Sequence, residues 1–214
     1  MKNNMTDQCP LCQSSTAVFY RNAKQLYHHC DNCSGIFLDK TLIPDREAEK
    51  SRYREHNNDI DDEMYQKFVS PISSAIMRDF SRADKGLDFG AGTGPVISKI
   101  LLDNQFHIEQ YDPFFHDHPE LLNGKYDYIA CCEVAEHFHD PYREFKLLKK
   151  LLLPDARLYC MTELYSESID FSAWYYKNDP THVFFYQKKT IHWIKEEFGF
   201  RDVTIKGRLI TWVN

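Results

Sequence analysis

The chain has 214 residues, 26 Lys+Arg against 32 Asp+Glu, and a hydrophobic fraction of 43%. With 27% charged residues this excludes a wholly disordered or fibrous chain and suits one domain, or one compact domain with a small module. No run approaches the ~18 apolar residues of a membrane helix. The opening Met1-Lys2-Asn3-Asn4 lacks a signal-peptide core, so a cytoplasmic location is expected, and a net charge of −6 argues against a generally cationic nucleic-acid binder.

Four of the seven cysteines fall in the first 33 residues, as Cys9-Pro10-Leu11-Cys12 and Cys30-Asp31-Asn32-Cys33 with 17 residues between them. This is zinc-ribbon spacing: each two-residue gap lets two thiolates reach one ion, and two such knuckles complete a tetrahedron. Two disulfides or four free thiols are the other readings, and a reducing compartment disfavours the first. Cys9, Cys12, Cys30 and Cys33 are therefore expected to hold a structural zinc with no open position for catalysis. Residues 16–20 and 26–29 read as a pair of strands between the knuckles. Residues 1–45 carry four basic and four acidic residues, which weakens a role in gripping a phosphate backbone.

Residues 46–83 are rich in charge and poor in glycine. Residues 46–55 resemble a helix start. Asp59 to Glu63 supplies acids suited to a second N-terminus. Met64, Phe68, Ile72, Ala75, Ile76 and Phe80 recur at helical spacing, with Pro71 expected to kink or divide the run. The segment reads as a helical linker that is either a scaffold helix or a lid, with Tyr53, His56 or Tyr65 reaching inward.

A short apolar strand then enters Gly90-Ala91-Gly92-Thr93-Gly94-Pro95, and a helical run follows from Val96 to Leu102. The dinucleotide pattern G-x-G-x-x-G fails because Pro95 stands at its third glycine. The phosphate-loop pattern fails because no G-K-[ST] follows. Residues 107–112 form a strand ending in Asp112, 22 residues after Gly90. Residues 126–133 form a buried strand followed by Val134-Ala135-Glu136-His137. Residues 141–153 are an amphipathic helix, 157–162 a strand, and 188–198 a helix stopped by Gly199. Residues 203–205 and 209–213 form a hairpin turned at Gly207.

An acid two residues before G-x-G-x-G, the acid ending the next strand, and E-V-A-E-H after the following one resemble the class I S-adenosylmethionine-dependent methyltransferases. The resemblance covers residues from about 84 to 214. It implies an α/β fold, a Rossmann-like sheet with a closing antiparallel hairpin, behind a small N-terminal zinc ribbon. The implied division is a ribbon over 1–45, a helical linker or lid over 46–83 and a methyltransferase domain over 84–214. The cofactors implied are S-adenosylmethionine and a structural zinc. The resemblance further places Asp88, Gly90, Ala91, Gly92 and Gly94 around the methionine end, Asp112 and Pro113 at the ribose, and Cys132 and Glu133 beside the cofactor. Only 14 residues separate Asp112 from Asp127, too few for the helix and third strand the family carries there, so that strand is expected to be missing or vestigial.

Methyl transfer to a sulfonium-activated carbon needs alignment and exclusion of water, with a base only for a protonated acceptor. Residues 171–186 hold seven aromatics in 16 residues and read either as a substrate pocket or as ordinary core. His182, His137 and Tyr176 are the candidate catalytic residues; the histidines read equally as structural. Glu136, His137 and His139 offer a metal site as a minor reading, and Cys131 and Cys132 read as packing residues. The expected function is methyl transfer to a small molecule in an aromatic-lined pocket. The alternatives are an RNA methyltransferase targeted by the ribbon and a cofactor-binding module without catalysis. No membrane partner is expected.

Overall fold

The inner strands of the central sheet are largely apolar on both faces, and each face has helices to cover it. In the computed structural model, which describes residues 8–55 and 59–214, β4 (Lys85–Phe89), β5 (His107–Tyr111), β6 (Tyr126–Cys132) and β7 (Leu152–Met161) run parallel. The sheet order is β5-β4-β6-β7-β10-β9, closed by the antiparallel hairpin β9 (Asp202–Lys206) and β10 (Leu209–Val213). Successive side chains alternate between two cores. Ile129, Cys131, Leu158 and Cys160 meet α4 (Pro141–Leu151) and α5 (Lys188–Phe198). Tyr128, Ala130, Tyr159 and Met161 meet α2 (Glu63–Asp79) and α3 (Val96–Asp103). No helix among the described residues is long and apolar enough to cross a membrane.

The elements start and stop where local chemistry directs. Asp62 caps α2 and Asp140 caps α4, each accepting from backbone N–H groups of the first turn. Gly199 ends α5 in the left-handed conformation, as its position predicts. Pro71 does not divide α2. The carbonyl of Lys67, which a proline four residues on leaves without its helical donor, accepts instead from Ser70 Oγ at 2.7 Å. β7 begins five residues before the expected position.

The third strand that the family carries after β5 is absent, as the short spacing predicts. After β5 the chain closes a tight bridge between Asp112 and His116, makes a 3-10 turn at Pro119–Asn123 and enters β6 directly. β5 is therefore an edge of the sheet.

The ribbon forms its own sheet of β1 (Ala17–Arg21), β2 (Leu26–His29) and β3 (Ile36–Leu38), and that sheet continues into β8 (Phe184–Phe185). The strand β3, which the sequence pattern did not mark, is the link. Its pairing with β8 settles the aromatic segment. Phe171, Trp174, Phe184, Phe185 and Tyr186 are buried core between ribbon and central sheet, and only Tyr175 and Tyr176 of the seven reach the cavity described next.

Candidate active site

A cavity of about 1090 Å³ opens at the carboxyl ends of β4, β5 and β6, where open α/β sheets bind ligands. Its floor is the glycine loop. Gly90 has φ +83°, and a Cβ there would lie 2.4 Å from Val134 Cγ2, so only glycine fits. The Gly90 and Ala91 amides donate to the Tyr111 carbonyl at 2.8 and 3.1 Å, holding the loop to the end of β5. Asp88 is buried and accepts from Ser98 Oγ at 2.8 Å, joining β4 to α3 across the loop. Burial raises its carboxyl to about 6.

Asp112 lines the cavity with both oxygens engaged. Oδ1 accepts from the Phe114 and Phe115 amides at 2.8 and 3.1 Å, and Oδ2 from the Gly92 amide at 3.0 Å. Three of its four acceptor positions are thus occupied, leaving one at Oδ2 for a ligand hydroxyl. Pro113 lends its carbonyl to Arg46 Nη2 at 2.8 Å.

The roof is α1 (Arg46–Arg54), a helix with one buried residue, Glu49, that is held by polar contacts. Arg52 donates through Nε and Nη2 to Asp179 Oδ2 at 3.1 and 2.8 Å, and His139 Nε2 meets Glu49 Oε1 at 2.7 Å. Arg46 lies over the Phe114 ring at 4.4 Å, and Tyr53 packs edge-on against Phe114 and His137. Tyr53 and Tyr65 both line the cavity; His56 lies outside the described residues.

Opposite the glycine loop stands a polar cluster. Tyr176 donates to Glu136 Oε1 at 2.5 Å, with Glu133 Oε2 at 3.2 Å from the same hydroxyl. Thr162 Oγ1 donates to Glu136 Oε2 at 2.9 Å. Arg208, from the turn of the closing hairpin, pairs with Glu133 and with Glu163. Burial raises the Glu133 carboxyl to about 7, the Glu136 charge adds to this and Arg208 opposes it. Burial raises Glu136 as well. Glu133 adopts φ +52° just past β6, held there by its amide to the Met161 carbonyl at 2.8 Å. Among the described residues its buried Oε1 has no hydrogen-bond partner.

His137 and His182 line the same end, their rings 4.8 Å apart. Their Nδ1 atoms meet the Thr181 carbonyl at 2.8 Å and the Tyr176 carbonyl at 2.6 Å. The expected trio Glu136, His137 and His139 does not gather, because His139 turns to Glu49. Glu136, His137 and His182 do place ligand atoms within 4.8 Å of one another, but both Glu136 oxygens are already held by hydroxyls. Cys131 is buried as expected, whereas Cys132 faces the cavity. Arg208, Arg52 and Glu163 escaped sequence reasoning. Lone charged residues in loops and hairpins carry no periodic signal.

The sequence model of the methyltransferase domain family matches residues 53–205. The chain belongs to this methyltransferase family. A second family model, described as a transcription factor zinc-finger, matches residues 8–42. A 77-residue stretch is 29% identical to the ubiquinone biosynthesis O-methyltransferase of Erwinia tasmaniensis, covering 36% of this chain and 32% of that relative. The match therefore spans about a third of the curated relative's length.

Among the solved structures that share the fold are these three. An O-methyltransferase family protein from Burkholderia thailandensis is 13% identical with a TM-score of 0.54, over 77% of this chain and 61% of that one. Magnesium protoporphyrin IX methyltransferase from Synechocystis PCC 6803, solved with bound SAH, is 17% identical with a TM-score of 0.53, over 82% and 100%. The 1,6-didemethyltoxoflavin-N1-methyltransferase of Burkholderia thailandensis, solved with 1,6-didemethyltoxoflavin and S-adenosylhomocysteine, is 14% identical with a TM-score of 0.55, over 92% and 98%.

The cavity suits S-adenosylmethionine, the cofactor that the sequence resemblance implies. A glycine cradle admits main-chain contact, and the orphaned Glu133 Oε1 calls for a donor or positive charge from a ligand. The ribbon's metal is a structural zinc. The four sulfurs lie within 4.8 Å of one another, with Cys9–Cys33 at 3.5 Å and Cys12–Cys30 at 3.3 Å. A tetrahedron with Zn–S bonds of ~2.3 Å has edges of about 3.8 Å. The two knuckles also repeat one another. Gln13 and Ser34 both have φ near +60°, and their amides return to the Cys9 and Cys30 carbonyls at 2.8 and 2.7 Å.

Proposed function

We propose that this methyltransferase transfers the methyl group of S-adenosylmethionine to a small-molecule acceptor enclosed beneath α1. The observation that carries the proposal is the single roofed cavity joining the glycine loop to the polar cluster of Glu133, Tyr176, His182 and Arg208. Its 1090 Å³ exceeds the usual ~300–1000 Å³ of a ligand pocket, leaving room for a cofactor and a compact acceptor.

When bound, S-adenosylmethionine supplies an electrophilic methyl group on a sulfonium. Asp88 fixes the shape of the loop in which Gly90, Ala91, Gly92 and Gly94 hold the methionine end. Asp112 would hold the ribose end through the remaining acceptor on its Oδ2, with Pro113 lining the cavity beside it. Cys132 and Glu133 stand beside the reacting centre, and α1 with Tyr53 keeps out water.

The proton of a hydroxyl-type acceptor is taken by His182 or His137. The carbonyl at each Nδ1 assigns the proton to that nitrogen, which leaves Nε2 as the basic site. Tyr176 is a positioning residue in this scheme. Burial and the two adjacent carboxylates push its phenol strongly upward, so it stays protonated and holds Glu136.

Calorimetry with S-adenosylhomocysteine is the decisive measurement. The chain is expected to bind it, and Asp112→Ala to weaken it at least about tenfold. No binding by the parent, or equal binding by the variant, would sink the proposal. The neutral ribbon and the roofed cavity give no support to an RNA acceptor. Turnover across a small-molecule panel separates an enzyme from a cofactor-binding module, and His182→Ala is expected to lower kcat while leaving the S-adenosylhomocysteine affinity unchanged.

A further inference from the structure

At the edge strand β5, which the missing third strand leaves uncovered, the cavity has a lobe. Tyr111, Phe115, Leu122 and Leu147 line it. Its remaining wall is the first half of α4. On that helix Pro141, Phe145 and Leu148 face the core, so positions 140, 144 and 147 form the neighbouring stripe and face the lobe.

Glu144 is the acid in the middle of this stripe. It is half-buried, and among the described residues its carboxylate has no hydrogen-bond or ion-pair partner. Arg143, next in sequence, lines the same cavity and its positive charge acts on Glu144, but among the described residues the two form no ion pair. The other charged groups of the lobe are committed or exposed: His139 to Glu49, Asp140 to capping α4, Arg46 to the Pro113 carbonyl. The Tyr111 phenol is pushed up by burial and by the charges of Asp117, Glu144 and Asp112, and Tyr111, Glu144 and Asp112 line the same cavity.

A ligand with its methionine end on the glycine loop and its ribose at Asp112 must direct its base into this lobe. We infer that Glu144 accepts a hydrogen bond from the 6-amino group of the cofactor's adenine, so that α4 supplies the base-recognising group in place of the absent strand. The inference rests on the S-adenosylmethionine reading above. The apolar walls suit the faces of a purine. A carboxylate has only acceptor positions and the 6-amino group only donors, so the pair is complementary. Burial raises the Glu144 carboxyl above its ordinary range, and a donor from the ligand would compensate that desolvation.

The test compares S-adenosylhomocysteine with S-inosylhomocysteine, in which an oxo group replaces the 6-amino group, by calorimetry on the full chain. The parent is expected to prefer the adenosyl compound at least about tenfold, as a hydrogen bond to a charged group implies. Glu144→Gln, whose amide both donates and accepts, is expected to bind the two within about threefold of each other. Because Glu144 makes no internal hydrogen bond, the variant is expected to melt at or above the parent's temperature. A parent that binds both compounds equally, or a Glu144→Gln variant that keeps the full preference, would overturn this inference alone. A parent that binds neither would overturn the cofactor reading and this inference with it.

Discussion

Gly90 and Glu133 show how much of the site rests on single backbone conformations. Gly90→Ala would force a Cβ to within 2.4 Å of Val134 Cγ2 at φ +83°. The expected cost is about 1–3 kcal/mol of stability, with S-adenosylhomocysteine binding lost, as a melting curve and calorimetry would register. Glu133 is a non-glycine residue at φ +52°, a strained position of the kind that persists where surrounding contacts hold it. Its carboxyl, raised from 4.5 to about 7 by burial, adds a pH dependence. The folded chain holds this proton more tightly than the unfolded one. The contribution to stability is therefore full below about pH 4.5 and lost as pH rises through 7. Glu133→Gln is expected to remove that loss. The stability difference between variant and parent, followed by denaturant titration from pH 4.5 to 8, should grow with pH in the variant's favour.

At the scale of elements, α1 and α2 differ in what holds them. α2 buries Val69, Ile72, Ala75 and Ile76 against the sheet, and a serine hydroxyl compensates its internal proline. α1 buries Glu49 alone and depends on the Arg52–Asp179 and His139–Glu49 contacts. Such an element belongs to the low-stability end of a fold, where functional lids are found. Arg52→Ala is expected to speed amide hydrogen exchange across residues 46–54 at least tenfold. Exchange in β4 and β6 should be unchanged, and global stability should fall by no more than about 1 kcal/mol, since the pair is part-exposed. Protection of α1 equal to that of the parent would show that the roof is held some other way.

For the molecule as a whole, the ribbon shares a sheet with the catalytic half. Gly35 lies beneath Phe184, so a Cβ there would sit 2.4 Å from the ring's Cζ, and β3 pairs with β8 through Ile36–Phe185 and Phe37–Phe184. Cys9, Cys30 and Cys33 belong to the same apolar cluster as Trp212 and Leu158 of the central sheet. Removing the zinc therefore reaches beyond the ribbon. Chelation, or Cys30→Ser, is expected to lower the melting temperature of the whole chain by several degrees in one transition, with metal analysis giving one zinc per chain in the parent. Separate melting of the ribbon, with the main transition unmoved, would contradict the shared core.

What the sequence determined by itself was whatever has a local period or a fixed spacing. The cysteine knuckles, the glycine loop, the strand ending in Asp112 and the closing hairpin were legible because each is written in consecutive residues. The loss of the third strand was legible because 14 residues leave no room for it. Tertiary structure alone decided where the aromatic segment lies: its residues are as apolar as a pocket wall or a core requires, and only the pairing of β3 with β8 separates those outcomes. It also decided the partners of Glu133 and the surroundings of Glu144. Arg208 reaches Glu133 across 75 residues of chain, and Glu144 faces a lobe whose other walls come from β5 and the turn after it. Contacts between residues distant in sequence leave no imprint on local pattern, because the fold brings them together only after each element has formed for its own reasons.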